Sequence, residues 1–283
     1  MKKFIIVLSL ILFFSLNLNA KETLTWQVVH WPPFQMLEGP DKGLGRFDAL
    51  LALYQANLPQ YEHKTMAMNW ARFFSEIKEG KKICSIFIIK TEEREIYIQF
   101  SKPASLGLPL RIMMRESSIE ALGSREPISI LTLLKDHRFK GVLIGKRSYY
   151  TIIDKILEDN ASLTTVKRLA VPEDSIIQMI LAGRADYTIE YPYVANYMAN
   201  KFHAEQNTKI ESIPIKELSQ YGQSSCACPK NDWGIKVIED FDKMLSRVKR
   251  TPEFLKIMQM YHTDPKELEE IRQQTIKIIV KNE

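Results

Sequence analysis

The sequence has few cysteines and histidines, and it has none of the short motifs that mark common catalytic sites. Its 283 residues include three cysteines and five histidines, and the histidines are scattered along the chain. No Gly-x-Ser-x-Gly, His-Glu-x-x-His, phosphate-loop or dinucleotide-binding motif is present. The spacing of His and Cys does not match a metal site, and nothing in the chain indicates a resident cofactor. These absences argue against metalloproteases, nucleotide hydrolases and dinucleotide-dependent enzymes.

The chain also lacks a concentration of charge of one sign. Its formal net charge is +5, and the Lys and Arg residues are interleaved with Asp and Glu. A nucleic-acid-binding surface requires a basic patch or stripe. We therefore expect no nucleic-acid partner.

Only one long apolar run is present, and it lies at the N-terminus. Lys2 and Lys3 precede an apolar segment from Phe4 to Leu16, and a polar segment ends at Ala20. This pattern predicts a secretory signal peptide over residues 1–20, cleaved near Ala20, because the apolar core is too short for a comfortable membrane span. We expect the mature chain to be exported through the inner membrane.

The three cysteines are Cys84, Cys226 and Cys228. Disulfides persist in exported proteins. Cys226 and Cys228 lie on the same face of any strand that they share, so a bridge between them would strain the backbone. The residues leave two alternatives open: one of these two pairs with Cys84, or all three are buried free thiols.

The mature chain alternates between strand and helix patterns, and one pattern occurs twice. An apolar helix, a glycine, a basic residue and a strand follow one another at Phe73–Lys81 and again at Ile176–Arg184. Each copy predicts a helix–strand unit of an α/β fold. Further predicted strands cover 24–30, 61–68, 83–89 and 141–145 and pass through Cys226 and Cys228, and further helices cover 48–56, 149–157, 233–249, 252–261 and 264–283.

Several short motifs in a fixed order carry a family resemblance. They are Trp31–Phe34, Trp70, Gly80, Thr91–Arg94, Phe100–Pro103, Gly141–Gly145, Gly183–Asp186 and the segment from Tyr221 to Lys230. Over most of the mature chain, this order resembles the periplasmic solute-binding proteins of family 3, which includes the polar-amino-acid binders of ABC transporters. The resemblance implies an α/β, two-lobed type II periplasmic-binding-protein (Venus-flytrap) fold with two crossover strands.

The resemblance also implies a domain organisation and a role. The first lobe would contain residues 21–105 and 220–283, and the second lobe residues 106–219. The crossover strands would lie near 104–108 and 218–221. The protein would be a periplasmic, monomeric binding protein without enzymatic activity or cofactor. It would close on a small carboxylate-bearing ligand, an amino acid or a related molecule, for an ABC permease or a membrane sensor.

In the first lobe, the resemblance places the ligand contacts on Trp31, Trp70 and Arg94. The arginine of the Thr-x-x-Arg motif grips the ligand carboxylate in this family, and a planar guanidinium forms two-point hydrogen bonds with a carboxylate. The two tryptophans match the aromatic positions that sandwich the ligand. Phe87 and Ile89 replace the small hydroxyl residues expected before the motif, which predicts a more apolar pocket.

In the second lobe, the corresponding loop contains Lys146, Arg147 and Ser148. Ser148 is expected to act as a helix cap and as a hydrogen-bond donor, and the two cations favour an anionic ligand. At the position where amino-acid binders hold the ligand ammonium group with an aspartate, this chain has Tyr191, preceded by Glu190. This departure places an α-amino-acid ligand in doubt.

Two alternative functions remain open at this point. The first is a periplasmic enzyme on the same fold, similar to dehydratases of cyclic carboxylic acids, with Glu190 as general acid and Arg94 as substrate clamp. The second is a binding protein that signals to a partner protein and takes no part in transport.

Overall fold

The structure is a computed structural model, and it describes residues 21–202, 208–218, 221–262 and 265–281. The predicted signal peptide, residues 1–20, lies outside the described residues. No helix in the described ranges is both long enough and apolar enough to cross a membrane. The described elements form two five-stranded sheets with helices packed against them.

The first sheet has the strand order β2-β1-β3-β10-β4. Strand β1 runs parallel to β2 and β3, and β10 runs antiparallel to β3 and β4. All six residues of the central strand β3 are buried, as expected for a strand covered on both faces. The strands are β1 (Glu22–Val28), β2 (Tyr61–Ala67), β3 (Ile83–Ile88), β4 (Ile98–Gly107) and β10 (Gly222–Pro229).

Several helices of the first lobe begin at side-chain caps, whereas the first of them follows Gly45 and has none. The Asn69 side chain accepts a hydrogen bond from Arg72 N, and Asn231 and Thr251 make the equivalent bonds at later helices. These bonds satisfy backbone donors that have no partner inside the helix. The helices are α1 (Arg46–Ala56), α2 (Trp70–Lys78), α3 (Glu92–Glu95), α9 (Asp232–Val248), α10 (Pro252–Met258) and α11 (Pro265–Gln274).

The second sheet has the strand order β7-β6-β8-β5-β9. Its strands are β5 (Arg111–Arg115), β6 (Gly141–Ile144), β7 (Val166–Leu169), β8 (Tyr187–Glu190) and β9 (Ile210–Pro214). Strands β6, β7 and β8 are parallel, whereas β5 pairs antiparallel with β8 and β9. Its helices are α4 (Glu116–Leu122), α5 (Ile130–Lys135), α6 (Thr151–Asp159), α7 (Glu173–Leu181) and α8 (Pro192–Phe202).

The repeated helix–glycine–strand unit is confirmed in both lobes. Helix α2 is followed by Gly80 and β3, and α7 is followed by Gly183 and β8. Both glycines have a positive φ, 78° and 70°, which closes the preceding helix and turns the chain into the strand. In each sheet the strand of this unit pairs in parallel with a neighbouring strand, β3 with β1 and β8 with β6.

The C-terminal segment differs from the single helix predicted over residues 264–283. Helix α11 ends at Gln274, and Thr275–Val280 continue as a π-helical turn. Ile271 and Ile279 are buried, and α11 packs against α10 and β4. Lys249 Nζ donates to Ile279 O, which satisfies a carbonyl in the wider turn. The segment is thus a part of the first lobe.

The lobes are joined where β4 ends and β10 begins. Gly107 of β4 and Gly222 of β10 are paired in the antiparallel ladder, and β5 of the second sheet begins at Arg111. The predicted boundary between residues 105 and 106 lies within β4. The second boundary, at 219 and 220, falls outside the described residues, so the exact lobe limits stay a prediction.

Cys84 and Cys228 form a disulfide between the neighbouring strands β3 and β10. The bridge joins residues 144 positions apart in the sequence. Cys226 is a buried free thiol two residues earlier on β10. Burial raises the pKa of this thiol well above its ordinary value of 9.0, so it stays protonated.

Candidate functional site

The two lobes enclose a cavity of about 60 Å³ beside the crossover strands. Half of the described residues that line it are aromatic or aliphatic, and the lining includes four cations but no carboxylate. Two open clefts of about 760 Å³ each flank the cavity, one polar and one apolar. The four cations of the lining are Arg46, Arg94, Lys146 and Arg147.

One wall of the cavity comes from the loop after β1, which contains Trp31 to Gln35. Trp31 and Gln35 form an isolated bridge, and Phe47 N donates to Phe34 O. Gly45 allows this approach, because a Cβ at that position would overlap Phe34 O. The loop is therefore fixed against the start of α1, with its aromatic rings turned into the molecule.

The aromatic residues of the cavity are packed against one another. The rings of Phe34 and Phe47 are stacked with centroids 4.6 Å apart, and those of Phe47 and Phe87 are stacked at 4.5 Å. Trp31 and Trp70 also meet, but their rings lie at 87° to each other with centroids 6.3 Å apart. Edge-to-face rings leave no parallel slot between them, and the ligand contacts of Trp31 and Trp70 stay a prediction.

Arg94 lies at the edge of the cavity, where it also lines the polar cleft. Its Nη1 donates to Ile89 O at 2.8 Å, and its guanidinium lies 4.4 Å from the centre of the Phe74 ring. Thr91 caps the short helix α3 and so fixes the backbone of Arg94. Burial lowers the pKa of Arg94 from its ordinary value, because the charged guanidinium is partly removed from water. Asp154 and Glu93, which line the same polar cleft, attract its charge, but neither forms an ion pair with it among the described residues.

Arg147 and Glu190 form a buried ion pair within the second lobe. Arg147 Nη1 and Nη2 donate to the two Glu190 oxygens at 2.6 and 2.9 Å. Glu190 Oε1 also accepts from Tyr191 N, and the Arg147 guanidinium lies 4.6 Å from the ring centre of Trp31. Glu190 therefore accepts three of the roughly four hydrogen bonds that a carboxylate can accept.

Tyr191 occupies the position at which the resemblance implies an aspartate in amino-acid binders. Its hydroxyl is hydrogen-bonded to that of Tyr150 at 2.8 Å, directly over the two paired glycines of the crossover strands. Burial raises the pKa of Tyr191 above its ordinary value of 10.0, so the hydroxyl is neutral. A neutral hydroxyl can accept a hydrogen bond from an ammonium group, but it supplies no opposite charge.

The loop after β6 presents its residues differently from the prediction. Lys146 is exposed and has a positive φ of 63°. The Ser148 hydroxyl donates to Asp154, and Tyr149 N donates to the other Asp154 oxygen at 2.9 Å. The predicted cap at Ser148 is wrong, because α6 begins at Thr151 with Tyr150 at the cap position. The Ser148 hydroxyl therefore donates to Asp154 of α6 and is not available to donate to a ligand.

Seven of the eight predicted ligand-binding residues line the cavity. The eighth, Glu190, does not line it but is hydrogen-bonded to the lining residue Arg147. The sequence analysis missed Phe34, Arg46, Phe47 and Tyr150. Phe34 and Phe47 follow the Pro-Pro and Gly-rich turns closely, which was an available signal. Arg46 carries a second signal: a cation in the first turn of a helix is disfavoured by the helix dipole unless something else holds it there.

No family model matches the sequence, and no curated protein matches it. Solved structures do match the fold. A histidine kinase sensor domain with similarity to periplasmic binding proteins has a TM-score of 0.67 at 16% identity, over 86% of this chain and 96% of that one. An ancestral arginine-binding protein bound to arginine has a TM-score of 0.65 at 18% identity, over 86% and 99%.

A third similar structure comes from a study of glutathione import via GshT and the cystine ABC importer TcyBC of Streptococcus mutans. Its TM-score is 0.66 at 15% identity, over 85% of this chain and 95% of that one. At these identities the likeness establishes the fold alone. The chain has the two-lobed α/β architecture of type II periplasmic-binding proteins, with its cavity between the lobes.

Proposed function

We propose that this chain is a periplasmic solute-binding protein whose two lobes close on a small carboxylate-bearing solute. The observation that carries the proposal is the cavity between the lobes, whose described lining has four cations and no carboxylate. Enclosed pockets with apolar walls and a few convergent polar groups are the usual form of small-molecule sites. A carboxylate would supply the anion that Arg46 and Arg94 lack among the described residues, whereas Arg147 already has Glu190.

Arg94 is the residue that we propose to hold the solute carboxylate. Its guanidinium lies between the cavity and the polar cleft, and no described carboxylate pairs with it. Arg147 is a weaker candidate, because Glu190 already neutralises it. Trp31 and Trp70 would provide apolar contact for the body of the solute.

An α-amino acid fits this cavity poorly. The ammonium group of an amino acid is best held by an acidic or carbonyl acceptor, and Glu190, which precedes the lining residue Tyr191, is paired with Arg147. Tyr191 offers only a neutral hydroxyl. We therefore propose a carboxylate solute without an ammonium group.

The proposed binding cycle is a hinge closure of residues 106–219 against residues 21–105 and 220–283. The partner would be an ABC permease or a membrane sensor, because one similar structure comes from a study of an ABC importer and another is a histidine kinase sensor domain. We propose that the chain acts as a monomer and without a catalytic step.

The test is a thermal-shift screen of the purified protein against carboxylic acids, amino acids, cyclic acids and short peptides. Since a ligand at about a hundred times its dissociation constant adds about 2.7 kcal/mol to the free energy of unfolding, a true ligand shifts the melting temperature clearly. We expect a carboxylate to do so and to be recovered unchanged. A carboxylate that is chemically converted would show an enzyme, and the failure of every carboxylate would refute the proposal.

A further inference from the structure

Arg46 is a second buried cation in the cavity lining. The proposed binding of one carboxylate by Arg94 gives Arg46 no function. It is the first residue of α1, and it is only 2% exposed. Its guanidinium carbon lies 4.8 Å from the ring centre of Phe34 and 5.3 Å from that of Phe47. Arg46 lines the same cavity as Arg94.

The hydrogen-bonding capacity of Arg46 is largely unused. Within the described residues its one hydrogen bond is a long one, 3.4 Å, from Nη1 to Met258 O. Its Nε is buried and has no acceptor, and the same is true of Trp31 Nε1. A buried cation without an anionic partner is unfavourable, and a guanidinium has five donors to satisfy. Two residues of the cavity lining therefore carry buried N–H groups without acceptors.

Aromatic rings compensate Arg46 only in part. Phe34, Phe47 and Tyr193 surround it, and their ring faces attract a cation. These rings do not accept the directed hydrogen bonds that Nε offers. An oxyanion in the cavity would provide both the charge and the acceptors.

We propose that the cavity binds a dicarboxylate, with Arg46 holding the carboxylate at its closed end and Arg94 the carboxylate at the edge toward the polar cleft. The inference rests on the proposed function and makes its solute class more specific. Three guanidinium groups line the cavity, which has aromatic walls and no acidic residue in its described lining. Arg147 is paired with Glu190, so Arg46 and Arg94 are the two guanidinium groups left for the solute. That arrangement matches two anionic ends joined by an apolar spacer.

The size of the cavity favours a short aliphatic spacer. Its volume of about 60 Å³ is well below the roughly 150 Å³ of an engineered cavity that holds benzene. The second carboxylate would therefore lie outside the cavity, in the polar cleft that Arg94 also lines. An aromatic spacer would not fit between the stacked rings without displacing them. The probes are therefore the straight-chain dicarboxylates from malonate to adipate, each compared with the monocarboxylate of the same carbon number.

The test measures the dissociation constants of these probes by calorimetry for the purified protein. We expect at least one dicarboxylate to bind at least about tenfold more tightly than its matched monocarboxylate. Arg46→Met and Arg94→Met should each abolish that preference, and Arg46→Lys should retain part of it because the charge remains. Arg72→Met is the control, since Arg72 is an exposed arginine that pairs with Glu76 outside the cavity.

Each other outcome contradicts the inference in a distinguishable way. Equal affinity for matched mono- and dicarboxylates would show a single anion site and would refute the dicarboxylate inference, while the proposed function would stand. Unchanged dicarboxylate binding by Arg46→Met would give Arg46 a purely structural role. If no carboxylate binds, both proposals fail. Circular dichroism of each variant checks folding, and Arg46→Lys provides the answer if Arg46→Met does not fold.

Discussion

Arg147 and Glu190 form a two-point ion pair in which each side chain is only 8% exposed. Arg147 comes from the loop after β6 and Glu190 from the end of β8, so the pair joins two neighbouring parallel strands at their carboxyl ends. The same guanidinium lies over the ring of Trp31 in the first lobe. One side chain thereby links the second lobe to the wall of the cavity.

Replacing Glu190 by Gln should destabilise the protein by about 3–5 kcal/mol, because Arg147 would remain as a buried cation without its partner. Urea unfolding measures the change in the free energy of unfolding. The control is Glu76→Gln, which breaks the exposed Arg72 pair and should cost less than about 1 kcal/mol. Equal changes in the free energy of unfolding for the two substitutions would show that loss of the buried pair costs no more stability than loss of the exposed pair.

Replacing Arg94 by Ala should weaken binding of the carboxylate solute by at least about 2–3 kcal/mol, the range for losing a buried charge-assisted hydrogen bond. Calorimetry with the solute identified by the thermal-shift screen measures the loss. Arg72→Ala should leave the affinity unchanged. An Arg94→Ala variant that binds as the parent does would remove Arg94 from the site.

Removing the disulfide by the double substitution of Cys84 and Cys228 with Ala should lower the free energy of unfolding by about 2–5 kcal/mol, because the unfolded chain regains the freedom of a long closed loop. Urea unfolding under oxidising conditions measures it. Cys226→Ala is the control and should have the smaller effect, since this thiol closes no loop. Titration of the denatured, oxidised parent should find one free thiol, and three would contradict the bridge.

The carboxyl group of Asp48 provides a prediction on pH. Burial raises its pKa above the ordinary value of 3.8, although Met36 N and Gly45 N donate to it. The folded state therefore holds this proton more tightly than the unfolded state, and stability falls as the pH rises through the folded pKa. The difference in unfolding free energy, parent minus Asp48→Asn, should decrease between about pH 3 and pH 7.

The Asp48 comparison isolates one group, because all other titrating residues are shared by the parent and the variant. Urea unfolding at several pH values gives the difference. A difference that grows with pH would mean that the backbone donors outweigh burial and that the folded pKa lies below 3.8.

A side chain at Gly222 should prevent the lobes from reaching the closed arrangement. A Cβ there would overlap the Tyr150 hydroxyl and lie 2.9 Å from that of Tyr191. Gly222→Ala should therefore weaken solute binding at least about tenfold, or about 1.4 kcal/mol, as measured by calorimetry. Adding Tyr150→Ala should restore part of the affinity. Full affinity of Gly222→Ala alone would show that the two tyrosines move freely.

The architecture could be predicted from the sequence because the helix–glycine–strand unit occurs in both lobes. In each copy the glycine indicates the end of the helix. Gly80 and Gly183 both adopt the left-handed conformation that ends a helix. Segments without a glycine that ends the helix were harder to predict. The change to a π-helical turn after Gln274 depends on how Ile271 and Ile279 reach the first lobe, which is a tertiary effect.

The site was predictable where the residues lie at strand ends and unpredictable where partners are distant in sequence. Arg94, Arg147 and Tyr191 follow strands of the two sheets, so motif order located them. The engagement of Ser148 by Asp154 and of Glu190 by Arg147 depends on side-chain geometry that spacing does not specify. Arg46 was missed because a charged residue after a Gly-rich turn normally faces solvent.

The pairing of Gly107 with Gly222 has a consequence for the way the chain can be divided. Residues 108–221 leave the first sheet and return to it at adjacent points, so they are topologically an insertion in a host. A short turn can bridge the same gap that this insertion now spans. Exchange of residues 108–221 between chains of this architecture would then preserve the pairing of β4 with β10. Such an exchange would combine the cavity wall of one chain's first lobe with that of another chain's second lobe.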